Sequence, residues 1–424
     1  MHSSIKLNLI KVSTGNFLNA AAAMAANLIV ARQIGVADYG VYGTLIVVFT
    51  MLTILIDAGT STALVTTIKQ NAEYQSSKVF STVLLFRSAI GILVILAILP
   101  TSALISRLIF HTQDSSHYFI WIALGATFMA IGQTYQSYAQ ARGEFTTYLT
   151  LAIVPSLSKL VAIVLVSIFV GHAGGLPWFV AVTAIGGIPL CIAGLLFQPA
   201  KAPFSIEFDL SLLSKIYRVS RWIGASNIVS GLTFRLDIVF LNILANTHET
   251  GYYNAAFQAA CIIPLITSSL TNTLLPTVAG FRSKQDIQGF IHKLMKVVPL
   301  LIILALVLEL AAPTLIDLAF GDKYAHSLLP LQILIPVFLA GLVSNQLQLL
   351  AFPLNKPHLH LYSVILQSTI MLSVDWILIP RLGAAGAAIG MLAAKITAII
   401  ITWWIIARYV HSHNETLLER KEAI

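Results

Sequence analysis

The sequence predicts an all-α polytopic membrane protein, with about twelve transmembrane helices in two six-helix lobes, parallel repeats around a central cavity. Composition is the first ground. The 424 residues are 57% hydrophobic and 10% charged, with a mean hydropathy of +0.86, whereas soluble domains carry roughly 25% charged residues. The second is length: apolar windows of about 20 residues, enough to cross the hydrocarbon core, recur along the whole chain. The third is a sided distribution of Lys and Arg.

The spans are expected near 9–31, 41–67, 79–99, 118–141, 149–170, 177–197, 220–244, 252–277, 296–320, 327–354, 361–380 and 386–408. The longest connection on the outer side is then 100–117. Lys6, Lys11, an alanine-rich core and Ala23-Met24-Ala25 give the first span the look of a signal peptide with a cleavage site. Asn16 and Asn19 interrupt that core and favour a retained span.

The formal charge is +8. With both termini cytoplasmic, Lys6, Lys11, Lys69, Lys78, Arg142, Lys201, Lys215, Arg218, Arg221, Arg282, Lys284, Lys293, Lys296, Lys356, Arg408, Arg420 and Lys421 share the inner side. Only Arg32, Arg107, Lys323 and Arg381 fall on the outer side. This follows the positive-inside rule, so the basicity is a topology signal and no nucleic-acid partner is expected. Cys191 and Cys261 both lie in spans and support neither a disulfide framework nor a zinc site.

Internal duplication organises the chain. Asp38-Tyr39-Gly40-Val41-Tyr42-Gly43 stands opposite Glu249-Thr250-Gly251-Tyr252-Tyr253-Asn254 at an offset of 211, and Gly174-Gly175 maps onto Ala385-Gly386 at the same offset. With six spans in each half, both halves enter the membrane from the same side, as parallel repeats with the expected site in a cavity between them. The resulting parts are a lobe over 1–197, a cytoplasmic linker over 198–219, a lobe over 220–410 and a polar cytoplasmic tail over 411–424. Pro199 and Pro203 mark the linker, and Ile206-Glu207-Phe208-Asp209-Leu210 reads as a short interfacial piece.

Charged residues at membrane depth are costly and mark ion or substrate paths or internal pairs. They occur here at Asp57, Arg87, Lys159, Arg235, Asp237, Glu309, Asp375 and Lys395. Helical spacing puts Thr50, Thr53, Asp57 and Ser61 on one face of the second span, and Gln133, Gln136 and Gln140 on one face of the fourth. Asn254, Gln258, Ser269 and Asn272 align on the eighth, Asn227, Ser230 and Asp237 on one side of the seventh with Arg235 nearly opposite, and Asn16 with Asn27 on the first.

Such groups also glue helices together, at around 0.6 kcal/mol per contact. The combination with charges favours a hydrated cavity. Arg87 and Arg235 are the candidates for fixed positive charge, with Lys159 and Lys395 as further anion-binding groups, since arginine cannot shed its charge and lysine can. A phosphate or acidic sugar would answer such charge. The alternative is that Arg87 pairs with Asp57, and Arg235 with a carboxylate of another helix. Asp57, Asp237, Asp375 and Glu309 are the candidates for coupling to a proton or sodium gradient. No metal site or cofactor is expected. The charges do not repeat at the 211 offset: Arg87 maps to Val298 and Lys159 to Ile370.

Ala31-Arg32-Gln33-Ile34-Gly35 with Asp38-Tyr39-Gly40-Val41-Tyr42, and Asp57-Ala58-Gly59 with Ala63-Leu64-Val65, resemble the first external loop and the second span of bacterial polysaccharide flippases of the Wzx type. Arg235-Leu236-Asp237, Gly251-Tyr252-Tyr253-Asn254-Ala255-Ala256 and Leu275-Pro276 resemble the seventh and eighth, and Gly383-Ala384-Ala385-Gly386-Ala387-Ala388 the start of the twelfth.

The resemblance implies membership of the multidrug/oligosaccharidyl-lipid/polysaccharide exporter superfamily and alternating access driven by an ion gradient. It implies a multi-pass protein of the bacterial inner membrane that moves an undecaprenyl-diphosphate-linked oligosaccharide, such as an O-antigen repeat unit, to the periplasmic leaflet. Its partners would be that lipid-linked oligosaccharide, the bilayer, and a polysaccharide polymerase with chain-length proteins; a monomer is expected. A drug or metabolite antiporter of the same superfamily would favour an acidic or aromatic pocket. Peptidoglycan-precursor flippases carry two further helices. A membrane polymerase or ligase would carry a large outer loop, but 100–117, with His111, Asp114 and His117, is short, and no phosphate loop or nucleophile elbow occurs. His411 and His413 lie in the polar tail. The reading is therefore a transporter and not an enzyme.

Overall fold

The computed structural model describes residues 2–70, 73–170, 175–197, 209, 212, 225, 228–233, 235–279, 281, 284–351 and 357–410. Every regular element among the described residues is helical. In chain order the helices are α1 His2–Gln33, α2 Val36–Asp57, α3 Thr60–Gln70, α4 Glu73–Phe110, α5 Ser116–Arg142, α6 Phe145–Phe169, α7 Gly175–Ile185 and α8 Gly187–Leu196. A short helical run at 228–233 precedes α9 Leu236–Leu244. Then follow α10 Thr247–Ala260, α11 Ile262–Ala279, α12 Lys284–Phe320, α13 Leu328–Gln348, α14 Pro357–Leu382 and α15 Ala384–Val410. Eight described segments are long and apolar enough to cross a membrane.

Where the expected spans fall on described residues they are helical, but four of them are broken. The second divides at Ala58–Gly59, the sixth at Gly186, the seventh at Arg235 and the eighth at Cys261. The outer connection expected over 100–117 is mostly helix. Pro100 is accommodated inside α4, which runs to Phe110, so the loop shrinks to 111–115 and His117 sits in α5. The break at Arg235 also removes the helical-wheel argument that set Arg235 opposite Asp237. Ala23-Met24-Ala25 lies within the continuous α1. Most of the linker, Asn227 and the tail lie outside the described residues.

A helix start repeats with the period read from the sequence. α2 starts at Val36 and α10 at Thr247, 211 residues later. Among the described residues α4 and α12 are the two longest helices, at 38 and 37 residues. The long α12 carries exposed Leu300, Ile302, Ile303, Leu306, Val307 and Leu310. In a membrane helix that is the lipid-facing stripe, since lipid tails replace water as the apolar solvent.

The chain forms two compact units, Met1–Gly251 and Tyr252–Ile424. In the first, α5 is the central helix, packing against α2, α3, α4, α6, α7 and α8, while α1 lies along α6. A core of Phe80, Leu84, Tyr135, Tyr138 and Leu190 sits beside it, with Phe80 edge-on to Tyr135 at a ring separation of 5.2 Å. In the second unit α13 packs on α11, α12 and α15, and α14 lies along α15.

The repeated junctions touch each other within the first unit. A Cβ on Gly40 would overlap the Thr247 carbonyl oxygen and come within 2.9 Å of the Gly251 amide nitrogen. One on Gly251 would overlap the Val36 carbonyl oxygen and come within 2.8 Å of Val36 Cγ1. Each glycine thus rests on the backbone of the residue that opens the other helix, as small residues allow in membrane helix crossings. We expect Gly40→Val and Gly251→Val each to cost about 1–3 kcal/mol by overpacking, read as a lower thermal unfolding midpoint in detergent. The control Gly35→Val, where a Cβ would meet nothing within 4 Å, should leave it nearly unchanged.

Candidate functional site

The most densely bonded polar centre of the first unit lies at the break in the second span. α2 stops at Asp57 because Ala58 turns to φ +47° and Gly59 to φ +77°, the left-handed region that glycine enters freely. The Ala58 amide closes α2 onto the Ile54 carbonyl at 2.9 Å. Asp57 then caps α3. Its Oδ2 accepts from the Gly59 amide at 3.1 Å, and its Oδ1 from the Ser61 amide at 3.2 Å and the Ser61 hydroxyl at 2.7 Å. A carboxylate at a helix N-terminus satisfies orphan amides and suits the helix dipole.

Arg87 reaches this centre from α4. Its Nη2 forms an ion pair with Asp57 Oδ1 and donates to Ser61 Oγ at 2.8 Å. Its Nε donates to Thr60 Oγ1 at 2.9 Å, and its Nη1 to the Ala130 carbonyl of α5 at 2.8 Å. Ser137 of α5 adds a hydroxyl contact to Ser61 at 3.2 Å. Arg87 is 0% exposed. Burying a guanidinium is unfavourable unless charge and donors are both matched, and here they are. Of the two sequence-based readings of Arg87, a cation facing an open cavity or the partner of Asp57, this structure has the contact with Asp57. Of the stripe expected beside Asp57, only Ser61 joins the network; Thr50 and Thr53 donate to their own helix, to Ile46 and Phe49 carbonyls at 2.9 and 2.8 Å.

The two lysines are held differently. Lys159 Nζ on α6 donates to Asn27 Oδ1 of α1 at 3.3 Å and lies 5.6 Å from the centre of the Tyr42 ring. Tyr42 is fixed in turn by its hydroxyl contact with Thr183 Oγ1 at 3.1 Å. In the second unit Lys395 Nζ on α15 donates to Asn345 Oδ1 of α13 at 3.0 Å, passing over Gly341. Both ammonium groups therefore rest on neutral partners: an amide oxygen and, for Lys159, an aromatic face. Tyr42 and Asn345 were absent from the sequence-based candidates. The lysine–asparagine pairs join residues 132 and 50 positions apart, so no local spacing announces them.

The remaining candidates are dispersed. Arg235 stands at the break before α9, and Asp237, fully buried in the first turn, accepts from the Ile238 amide at 2.8 Å. Further along α9, Asn242 hydrogen-bonds Thr44 of α2. Asp375 is fully buried on α14, and a Cβ on Gly390 of α15 would overlap its carboxylate. Asn254 and Gln258 are buried on α10, with Gln258 3.7 Å from the Cys261 sulfur. Gln133 and Gln136 are half-buried and Gln140 is exposed. Glu309 lies half-buried on α12 between the exposed Val307 and Leu310. The side chains of Asn16, Ser269 and Asn272 lie outside the described residues. No group of three or more potential metal-ligating side chains occurs among the described residues.

The family can be read from relatives. A family model described as polysaccharide biosynthesis protein matches residues 29–329. The chain belongs to that family. Lipopolysaccharide biosynthesis protein WzxC of Escherichia coli (strain K12) is 24% identical over 243 residues, covering 55% of this chain and 49% of that protein. The aligned part thus spans about half the length of this curated relative. Among solved structures, an inward-facing multidrug resistance MATE family transporter of the MOP superfamily aligns with a TM-score of 0.78 at 13% identity, over 95% of this chain and all of that one. The lipid II flippase MurJ, in an inward closed conformation, aligns with a TM-score of 0.78 at 12% identity, over 93% of this chain and 87% of that one. At such identity these two establish the fold. The resemblance of the sequence to Wzx-type polysaccharide flippases agrees with this family, and the chain is a multi-pass membrane protein.

The buried pair makes a direct energetic prediction. Arg87→Ala should destabilise the protein by roughly 3–5 kcal/mol, because it strands Asp57 among its remaining donors. The Asp57→Asn/Arg87→Ala double variant should lose less than the sum of the single losses. Unfolding in detergent, measured as a double-mutant cycle, checks this; strict additivity would contradict the pair.

Proposed function

We propose that this protein moves an undecaprenyl-diphosphate-linked oligosaccharide, an O-antigen or other surface polysaccharide repeat unit, from the cytoplasmic to the periplasmic leaflet of the bacterial inner membrane. The observation that carries the reading is the family match over residues 29–329, supported by a transporter fold of the exporter superfamily along nearly the whole chain.

Chemistry within the spans agrees with an anionic cargo. Lys159 and Lys395 each donate to a neutral amide oxygen, and a diphosphate or acidic sugar would add charge-assisted hydrogen bonds to them. Arg235, at a helix break, is the third candidate for this role. Transport proceeds by alternating access of the lobes 1–197 and 220–410, joined by the cytoplasmic linker 198–219, with both termini cytoplasmic. A proton or sodium gradient supplies the direction. Asp237 and Asp375, carboxylates buried at membrane depth, are the favoured coupling groups, and the protein performs no covalent chemistry on its cargo.

Deleting the gene in its host should abolish the surface polymer while the lipid-linked precursor accumulates in the membrane, and a plasmid copy should restore both. Normal polymer with altered drug or metabolite sensitivity would refute the flippase reading. In that complementation assay, Lys159→Gln and Lys395→Gln should each weaken cargo binding about ten- to a hundred-fold, the worth of one charge-assisted hydrogen bond. Folding and membrane insertion should be retained, and wild-type export by both variants would remove the lysines from the cargo path.

A further inference from the structure

We infer that Arg87 is a built-in cation, standing where a free one would otherwise answer Asp57, so that Asp57 is a structural anion and the coupling ion acts elsewhere. The argument starts from the acceptors. Asp57 Oδ1, Thr60 Oγ1, Ser61 Oγ and the Ala130 carbonyl surround one guanidinium, from the end of α2, the start of α3 and the middle of α5. A carboxylate, two hydroxyls and a backbone carbonyl are all acceptors, so the surroundings call for a cation with several donors. The guanidinium meets that demand, and each of its three nitrogens meets one or more of these oxygens.

Three properties separate this arrangement from an exchangeable ion site. Arg87 is covalently tethered and has no exposed surface, so its charge cannot be carried across the membrane and released. Arginine also keeps its proton in proteins, so the site cannot cycle by protonation of the cation. Its ligands bridge a helix break, since Asp57 ends α2 while Thr60 and Ser61 open α3. Removing the cation would therefore unfasten two half-helices. The second half has no equivalent: at the 211 offset Arg87 becomes Val298 and Asp57 becomes Ser268, and the eighth span breaks at Cys261 instead. Arg87 is thus a positioning residue that replaces an ion.

Two measurements test this, the first independent of cargo and of the flippase reading. Thermal unfolding of the full chain in detergent is followed with methylguanidinium or sodium replacing choline at constant ionic strength. Wild type should be unmoved by either ion. Arg87→Gly should melt lower and regain part of the loss with millimolar methylguanidinium, and Asp57→Asn/Arg87→Gly should not respond. A wild-type midpoint raised by sodium in a way that Asp57→Asn abolishes would overturn the inference, as would an Arg87→Gly protein indifferent to every cation. Where Arg87→Gly does not fold, the second measurement decides, and it rests on the transport reading. Asp57→Asn should retain the wild-type sensitivity of export to ionophores that collapse the proton or sodium gradient, even if export is slower. Loss of that sensitivity would restore Asp57 to the coupling machinery. Failure of the flippase reading itself shows separately, as normal polymer in the deletion strain.

Discussion

A break in a helix at membrane depth frees backbone amides and carbonyls that no water can reach, and irregular backbone survives there only when protein groups satisfy it. In the first unit this constraint is met at Ala58–Gly59 by one carboxylate and one guanidinium. Asp57 takes the amides of Gly59 and Ser61, and Arg87 balances the carboxylate while binding Thr60, Ser61 and the α5 backbone. Four helices, α2 to α5, and the break are thereby fixed by one buried cluster. Nearby packing follows from it, since α5, which accepts Arg87 at Ala130, is also the helix on which α2, α3, α4, α6, α7 and α8 converge.

Duplication and asymmetry coexist for a physical reason. A helix start repeats at 211 residues because it depends on length and on small residues at crossings, and Gly40 and Gly251 keep those demands in both copies. Interior charges face no such demand. Each is tolerated only where its own partners exist, and those partners differ: Thr60, Ser61 and Asp57 in one half, Asn345 for Lys395 in the other. A duplicated scaffold can therefore diverge in its polar interior without losing its helices.

What could be read from the sequence follows the same division. The spans, the repeat and the family were legible because each rests on a pattern of composition, period or motif within a short window. The breaks were not. Ala58 gives no sign of a left-handed conformation, and a window of mean hydropathy passes over Gly59, Gly186 and Arg235 without noticing them. The outer loop was overestimated because the expected span ended at 99, whereas α4 continues through Pro100 to Phe110, a proline within a long membrane helix being accommodated. Among candidate site residues, the Asp57–Arg87 contact could be raised as an alternative from charge alone. Choosing it required knowing that Thr60, Ser61 and Ala130 meet at the same point.

The interior cations consequently fall into two electrostatic classes. Arg87 is matched by a carboxylate, so its field is largely cancelled beyond its own neighbours. Lys159 and Lys395 rest on amide oxygens and, in one case, a tyrosine face. These dipolar partners orient an ammonium without neutralising it, and in a medium of low dielectric the surviving field reaches further than it would in water. Arginine's forked donors suit a crowded permanent junction, whereas lysine offers three donors around one point and leaves some available after a single amide contact. The residue that closes the structure and the residues proposed to receive an anion thus differ in kind, and the partner, more than the charge itself, separates the two.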